Sequence, residues 1–165
     1  MKQSILILFI ISGLLLFGCS SDNDNGGGIP ASGSITMKLD GSDWQASGAN
    51  GIRQNVGSNT QISVGGSFVR NLQANEFDTV TISFLSTSDI TTGDYTGQDS
   101  LPYVQVTFNM GTMDPQDTFV SKIADATITS ISDTNIQGTF SATLELQGES
   151  DIVITDGGFN VNIMN

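Results

Sequence analysis

The segment Asn135–Leu146, NIQGTFSATLEL, carries a small or apolar residue at every second position: Ile136, Gly138, Phe140, Ala142, Leu144 and Leu146. A period of two belongs to a strand, whose successive side chains point to opposite faces. The apolar stripe of a helix repeats every three to four residues instead. The same alternation recurs in Ile35/Met37/Leu39, Ile62/Val64, Val80/Ile82/Phe84, Val104/Val106/Phe108 and Phe159/Val161/Ile163. Thr, Val and Ile enrichment agrees with strand. Asp40-Gly41, Gly65-Gly66, Thr92-Gly93-Asp94, Gly97, Asp114-Pro115, Gly148 and Asp156-Gly157-Gly158 read as turns between these runs. No stretch of ten or more residues holds an apolar period of 3.6; Asp114–Ala124 has room for one helical turn. One face on a core and one in water is the pattern of antiparallel sheet. About eight to ten strands predict an all-β, antiparallel two-layer β-sandwich, with a closed or partly open β-barrel as the alternative. Neither an internal repeat nor a second domain boundary is visible.

The N-terminus has a different character. Met1-Lys2-Gln3-Ser4 is a short n-region, and Ile5–Phe17 is almost wholly apolar. Roughly 13 residues suit the ~7–15 of a signal-peptide h-region, whereas a membrane-spanning helix needs about 20. The run ends at Cys19, the single cysteine of the chain. Leu16-Phe17-Gly18-Cys19 resembles the bacterial lipobox, with Leu16 and Gly18 in the positions read by the signal peptidase. The resemblance implies cleavage after Gly18 and lipidation of the Cys19 thiol. Phe17 departs from the small or aliphatic residue favoured there. Each buried acyl CH₂ contributes about 0.8 kcal/mol, so several chains on one cysteine anchor firmly.

Residues 20–28, SSDNDNGGG, could hold a metal loop or a tether. Asp22 and Asp24 fit the first ligands of an EF-hand loop, but Gly26 stands where the third oxygen belongs and Gly33 where the closing Glu belongs. Gly26–Ala31 also matches G-x-G-x-x-[GA] formally, yet no strand precedes it and Pro30 opposes a following helix. High Gly and clustered Asp describe a flexible solvated linker. The expected organisation is therefore residues 1–18 as signal peptide, 19–33 as lipidated Cys and tether, and 34–165 as one β-domain. About 130 residues suffice for a hydrophobic core without crosslinks.

Several short motifs resemble small Bacteroidetes envelope lipoproteins of unknown function. They are the strand, Asp-Gly, Trp, Ala opening over Ile35–Ala46; the Gly93-Asp94-Tyr95 turn; the I-x-G-T-F pattern of Ile136–Phe140; and the I-T-x-G-x-F-like Ile154–Phe159. The acidic Ser/Asp run after Cys19 resembles the surface-export signal of such lipoproteins. The resemblance implies the sandwich fold and an outer-membrane location, with surface exposure. It brings no catalytic residues.

Chemistry is constrained mainly by what is missing. The chain has no histidine, and its one cysteine excludes an intramolecular disulfide. Zinc, copper and haem sites lose their usual ligands, and catalysis loses its commonest general base. No cofactor and no metal site is expected, and no catalytic residue is assigned. With Lys+Arg 5 against Asp+Glu 17, a net charge of −12 opposes nucleic acid as a partner. A carboxylate-dependent hydrolase would need two facing carboxyls, and Asp94, Asp99, Asp114, Asp117 and Asp156 all sit in expected loops. Aspartates in turns more often serve backbone hydrogen bonds. Flat aromatics that stack on sugars are Trp44, Tyr95 and Tyr103; burial after a turn is the expectation for Trp44. Tyr95 and Tyr103 are the tentative ligand-binding residues; packing at a turn or capping the sandwich is the expectation for Tyr95, and Tyr103, which starts a strand, is the better exposed candidate. Met110 and Met113 read as packing residues, and Arg53 and Arg70 as solvated. The resulting expectation is a non-catalytic binding or accessory module, held to the membrane by its lipid, with an envelope protein or a glycan as partner.

Overall fold

The computed structural model describes residues 33–97, 99–111 and 117–164. They form ten strands: β1 (Ser34–Leu39), β2 (Ser42–Gln45), β3 (Gly48–Val56), β4 (Asn59–Asn71), β5 (Glu76–Ser86), β6 (Gly93–Thr96), β7 (Tyr103–Asn109), β8 (Thr118–Ile131), β9 (Asn135–Glu145) and β10 (Ile152–Met164). No α-helix occurs among the described residues. The expected signal peptide and tether, including Leu16, Gly18 and Cys19, lie outside the described residues, as do Met113 and Asp114. The helical turn allowed over Asp114–Ala124 is not found from Thr118 onward, where β8 runs.

The sheet closes on itself, which fits the barrel alternative; the two-layer sandwich is not what the strand pairing gives. Seven strands form the ring in the order β3-β4-β5-β7-β8-β9-β10, and β10 returns to β3 through Ile163↔Gly51 and Met164↔Ile52. That last contact is parallel, while all other pairings are antiparallel. The reason is parity: a ring of seven cannot alternate strand direction all the way round. Period-two sequence fixes which face is buried and is silent on whether a sheet folds over or rolls up.

The ring splays at two seams, and the three remaining strands fill them. β8 pairs with β9 along one edge, and along the other with β7 first (Asn109↔Thr118) and then β6 (Tyr95↔Ala126). Where β7 leaves, the Ser121 hydroxyl accepts from Val106 N–H at 3.1 Å and takes the place of the lost ladder bond. β10 repeats the arrangement, with β9 on one edge and β1 then β3 on the other. β1 and β2 form a hairpin about Asp40-Gly41, both in the left-handed region (φ 48° and 80°), as a two-residue hairpin turn requires.

The interior is filled by side chains. Phe84, Phe108, Phe159, Ile35, Ile62, Ile82, Ile136, Leu144 and Val64 have no exposed surface. β9 and β10 exchange glycine for aromatic across the pair: Gly138 lies opposite Phe159, and Gly157 opposite Phe140. A Cβ on Gly138 would stand 2.5 Å from Phe159 Cζ and closer still to the Thr127 carbonyl oxygen; one on Gly157 would meet Phe140 Cδ1 at 2.6 Å. Each ring occupies the space that a side chain on its partner would need. Gly65-Gly66 and Asp156-Gly157-Gly158, expected as turns, therefore lie inside strands. Gly66 lets Ala46 and Ile35 seat the β1–β2 hairpin against β4, and Asp156 (φ 51°) makes the bulge of β10.

Candidate functional site

Tyr95 is buried in the β6 seam. Its ring meets Phe84 edge-on at 5.2 Å, and its hydroxyl donates to Thr91 O at 2.9 Å and accepts from Thr91 N–H at 3.1 Å. Both polar functions of the hydroxyl are thus used within the chain, and the residue closes the loop before β6. Trp44 is buried in the other seam, edge-on to Phe68 (6.4 Å) and Phe108 (6.1 Å). Tyr103 opens β7, half-buried, on the outward face opposite Leu85. The three aromatics do not share a surface.

The carboxylates are also dispersed. Asp94 accepts from the Thr127 hydroxyl at 2.6 Å, and Asp156 pairs with Lys38 at 3.2 Å. Asp99 is exposed in the loop before β7, and Asp117 is exposed ahead of β8. Asp156 does line a shallow groove of about 220 Å³ on the outer face of β8, β9 and β10. The bulge of β10 raises one wall, and Asp125, Thr127, Thr139 and Ser141 supply the rest. Asp125 and Ser141 are cross-strand neighbours, as are Thr127 and Thr139. The side chains of Phe140 and Ala126 point inward, so only their backbone contributes to the floor. The groove is thus a hydrogen-bonding surface without an apolar platform. Outward strand positions of this kind look like ordinary solvated residues in sequence, and Asp125 carries no signal that would single it out. Among the described residues no group of three His, Cys, Asp or Glu side chains is placed to hold a metal ion.

All four cations of the described residues are ion-paired: Lys38 with Asp156, Arg53 with Asp133 (3.5 Å), Arg70 with Asp78 (2.7 Å), and Lys122 with Asp151 (3.5 Å) and Glu145 (3.7 Å). Anionic ligands would have to displace a carboxylate to reach any of them. Arg70 is exposed, in keeping with its solvated reading, but it pairs with a buried carboxylate. Asp78 is 2% exposed, and Gly111 N–H also donates to its Oδ1 at 3.0 Å. The pair joins the outer end of the β4–β5 hairpin to the segment after β7. Arg53 binds the β8–β9 turn through Ser132 O (3.3 Å) as well as Asp133.

At the end of the ring opposite that turn, the β4–β5 hairpin outruns its neighbours. β3 stops pairing at Gly48↔Ser67 and β7 at Asn109↔Thr79, while β4 and β5 continue to Asn71↔Glu76. Phe68, Val69 and Leu72 on this extension are 40%, 37% and 71% exposed. Comparison with protein-family models, with curated proteins and with solved structures finds no match to this chain.

Proposed function

We propose that the protein is a lipid-anchored envelope lipoprotein that works as a non-catalytic binding or accessory module at the outer membrane. The observation that carries the binding part is the filled ring. With Phe84, Phe108 and Phe159 wholly buried, no ligand is carried inside, and partners meet the outer faces and ends. Anchoring rests on the apolar Ile5–Phe17 run ending at Gly18-Cys19. Fractionation tests it: Cys19→Ala should move the protein from the membrane fraction to the soluble fraction, and a variant that stays firmly membrane-bound refutes the anchor.

The groove of Asp125, Thr127, Thr139, Ser141 and Asp156 favours a second reading, a carbohydrate-binding surface lipoprotein. Carboxylates and hydroxyls there accept and donate as sugar hydroxyls require. With Tyr95 buried, Tyr103 on β7, outside the lining of this groove, is the tentative stacking residue that remains. A glycan array should then give hits weakened by Asp125→Asn or Tyr103→Ala. Silence across diverse glycans removes this reading.

A further inference from the structure

We propose that the open edge of β4 at Phe68–Asn71 accepts an extended strand from a partner protein, an inference that rests on the reading of the chain as a binding module. A closed ring normally abolishes strand edges. Here, among the described residues, the terminal strands β2 and β6 each keep one unpaired edge, and a further one arises where the β4–β5 hairpin extends about four residues, on the order of 13 Å, past β3 and β7. Among the described residues no strand pairs with this edge beyond the Ser47 N–H bond to Ser67 O at 2.7 Å. Antiparallel alternation turns the N–H and C=O of Val69 to the same side as those of Ser67.

The edge is held ready. Asn71 Oδ1 accepts from Gln73 N–H at 3.1 Å and Ala74 N–H at 3.2 Å, which fixes the turn. Asp78 ties the second strand to Arg70 and Gly111. Protein edges are commonly guarded by a charge facing an incoming strand. The one cation on this segment, Arg70, is instead drawn to Asp78, and Phe68, Val69 and Leu72 are left exposed. Trp44, on the terminal strand β2, lies beside Phe68, and its buried Nε1–H has no acceptor.

The unpaired backbone groups of Val69, with Phe68 and Leu72 exposed to either side, select a β-strand as the occupant. The net charge of −12 favours a neutral or basic strand and opposes a second copy. The described chain enters β1 at Gly33, bonded to Asn160 O toward the end of the ring opposite this tip, so that entry point and the tip are separated. That separation argues for a protein partner over the bilayer.

The full-length protein should be titrated with a seven-residue Val/Thr-alternating peptide carrying a terminal lysine, and hydrogen exchange followed across Phe68–Asn71. Exchange at Val69 should slow by about tenfold or more. The same peptide N-methylated at alternate residues should have no effect, because it cannot complete the ladder. Val69→Lys should abolish the protection while leaving the circular dichroism spectrum unchanged. No slowing at millimolar peptide, or equal slowing by the N-methylated form, overturns the proposal. Protection by phosphatidylcholine vesicles alone, or protection that rises with protein concentration alone, also overturns it, in favour of a membrane tip or a self-associating edge respectively. Release of Cys19→Ala from membranes reports on anchoring independently of all these outcomes.

Discussion

Replacing Gly138 by alanine tests the glycine–aromatic exchange between β9 and β10. The new Cβ would need to stand 2.5 Å from Phe159 Cζ and 3.0 Å from Cε1 on one side, with the Thr127 carbonyl oxygen closer still on the other. Phe159 has nowhere to retreat, because it is wholly buried with Phe84 at 5.9 Å and Phe140 at 6.4 Å. The carbonyl belongs to the backbone of β8 and moves only with that strand. Overpacking costs about 1–3 kcal/mol where one neighbour must yield. With two neighbours on opposite sides, about 3 kcal/mol is expected.

For a domain of about 130 residues, unfolding entropy near 2.1 cal/mol/K per residue turns about 3 kcal/mol into a drop of roughly 11 °C. Thermal melts of Gly138→Ala and Gly65→Ala make the comparison. Gly65 sits in β4 with its nearest non-neighbour atoms at 3.9 and 4.0 Å, so its alanine should be neutral or stabilising by up to about 1 kcal/mol. Gly138→Ala combined with Phe159→Leu should be less destabilised than the sum of the singles by about 1 kcal/mol, because the leucine removes one clash and leaves the carbonyl one. A Gly138→Ala variant melting within about 2 °C of wild type, or strict additivity in the double variant, would refute the steric account.

Arg70→Ala should cost about 1–3 kcal/mol in urea unfolding. It leaves the Asp78 carboxylate buried with only Gly111 N–H, while the partial exposure of Arg70 softens the loss. Adding Asp78→Asn to that variant should recover part of the stability, and no recovery would mean that the buried charge is not the cause. Tyr95→Phe should cost about 1 kcal/mol for the two Thr91 hydrogen bonds. Tyr95→Ala should cost about 3–5 kcal/mol for the lost ring against Phe84; equal costs would mean that the ring is not packed as described.

The sequence reading was most accurate where one physical demand acts alone. Every period-two run it identified is a strand with its apolar side inward, since alternation is imposed locally by the pleat. It failed where a residue answers to a distant neighbour. Gly65-Gly66 and Asp156-Gly157-Gly158 have the composition of turns, yet Gly66 is small because Ala46 and Ile35 press on it, and Gly157 because of Phe140. β3, GANGIRQNV, has almost no apolar alternation because its inward positions are Ala49, Gly51 against Val161, and Arg53 paired with Asp133, while Ile52 faces outward. Ring closure rests on two residue pairs between segments over a hundred positions apart, which no local window can register.

The candidate surfaces were hidden for the same reason. Tyr95 is legible as a residue packed at a turn, but the seam between β7 and β8 that it fills is not. Nothing in the sequence singles out Phe68 and Val69, which stand out only because β3 and β7 stop short of them. A seven-membered ring whose strands splay at two seams must cover its spare backbone with extra strands. β6 and the β1–β2 hairpin do so at the seams, and the tip of β4 is a further uncovered length beside the outer edges of β2 and β6. The edge proposed to take a partner strand is therefore a consequence of the ring's geometry, and unequal strand lengths are what leave it open.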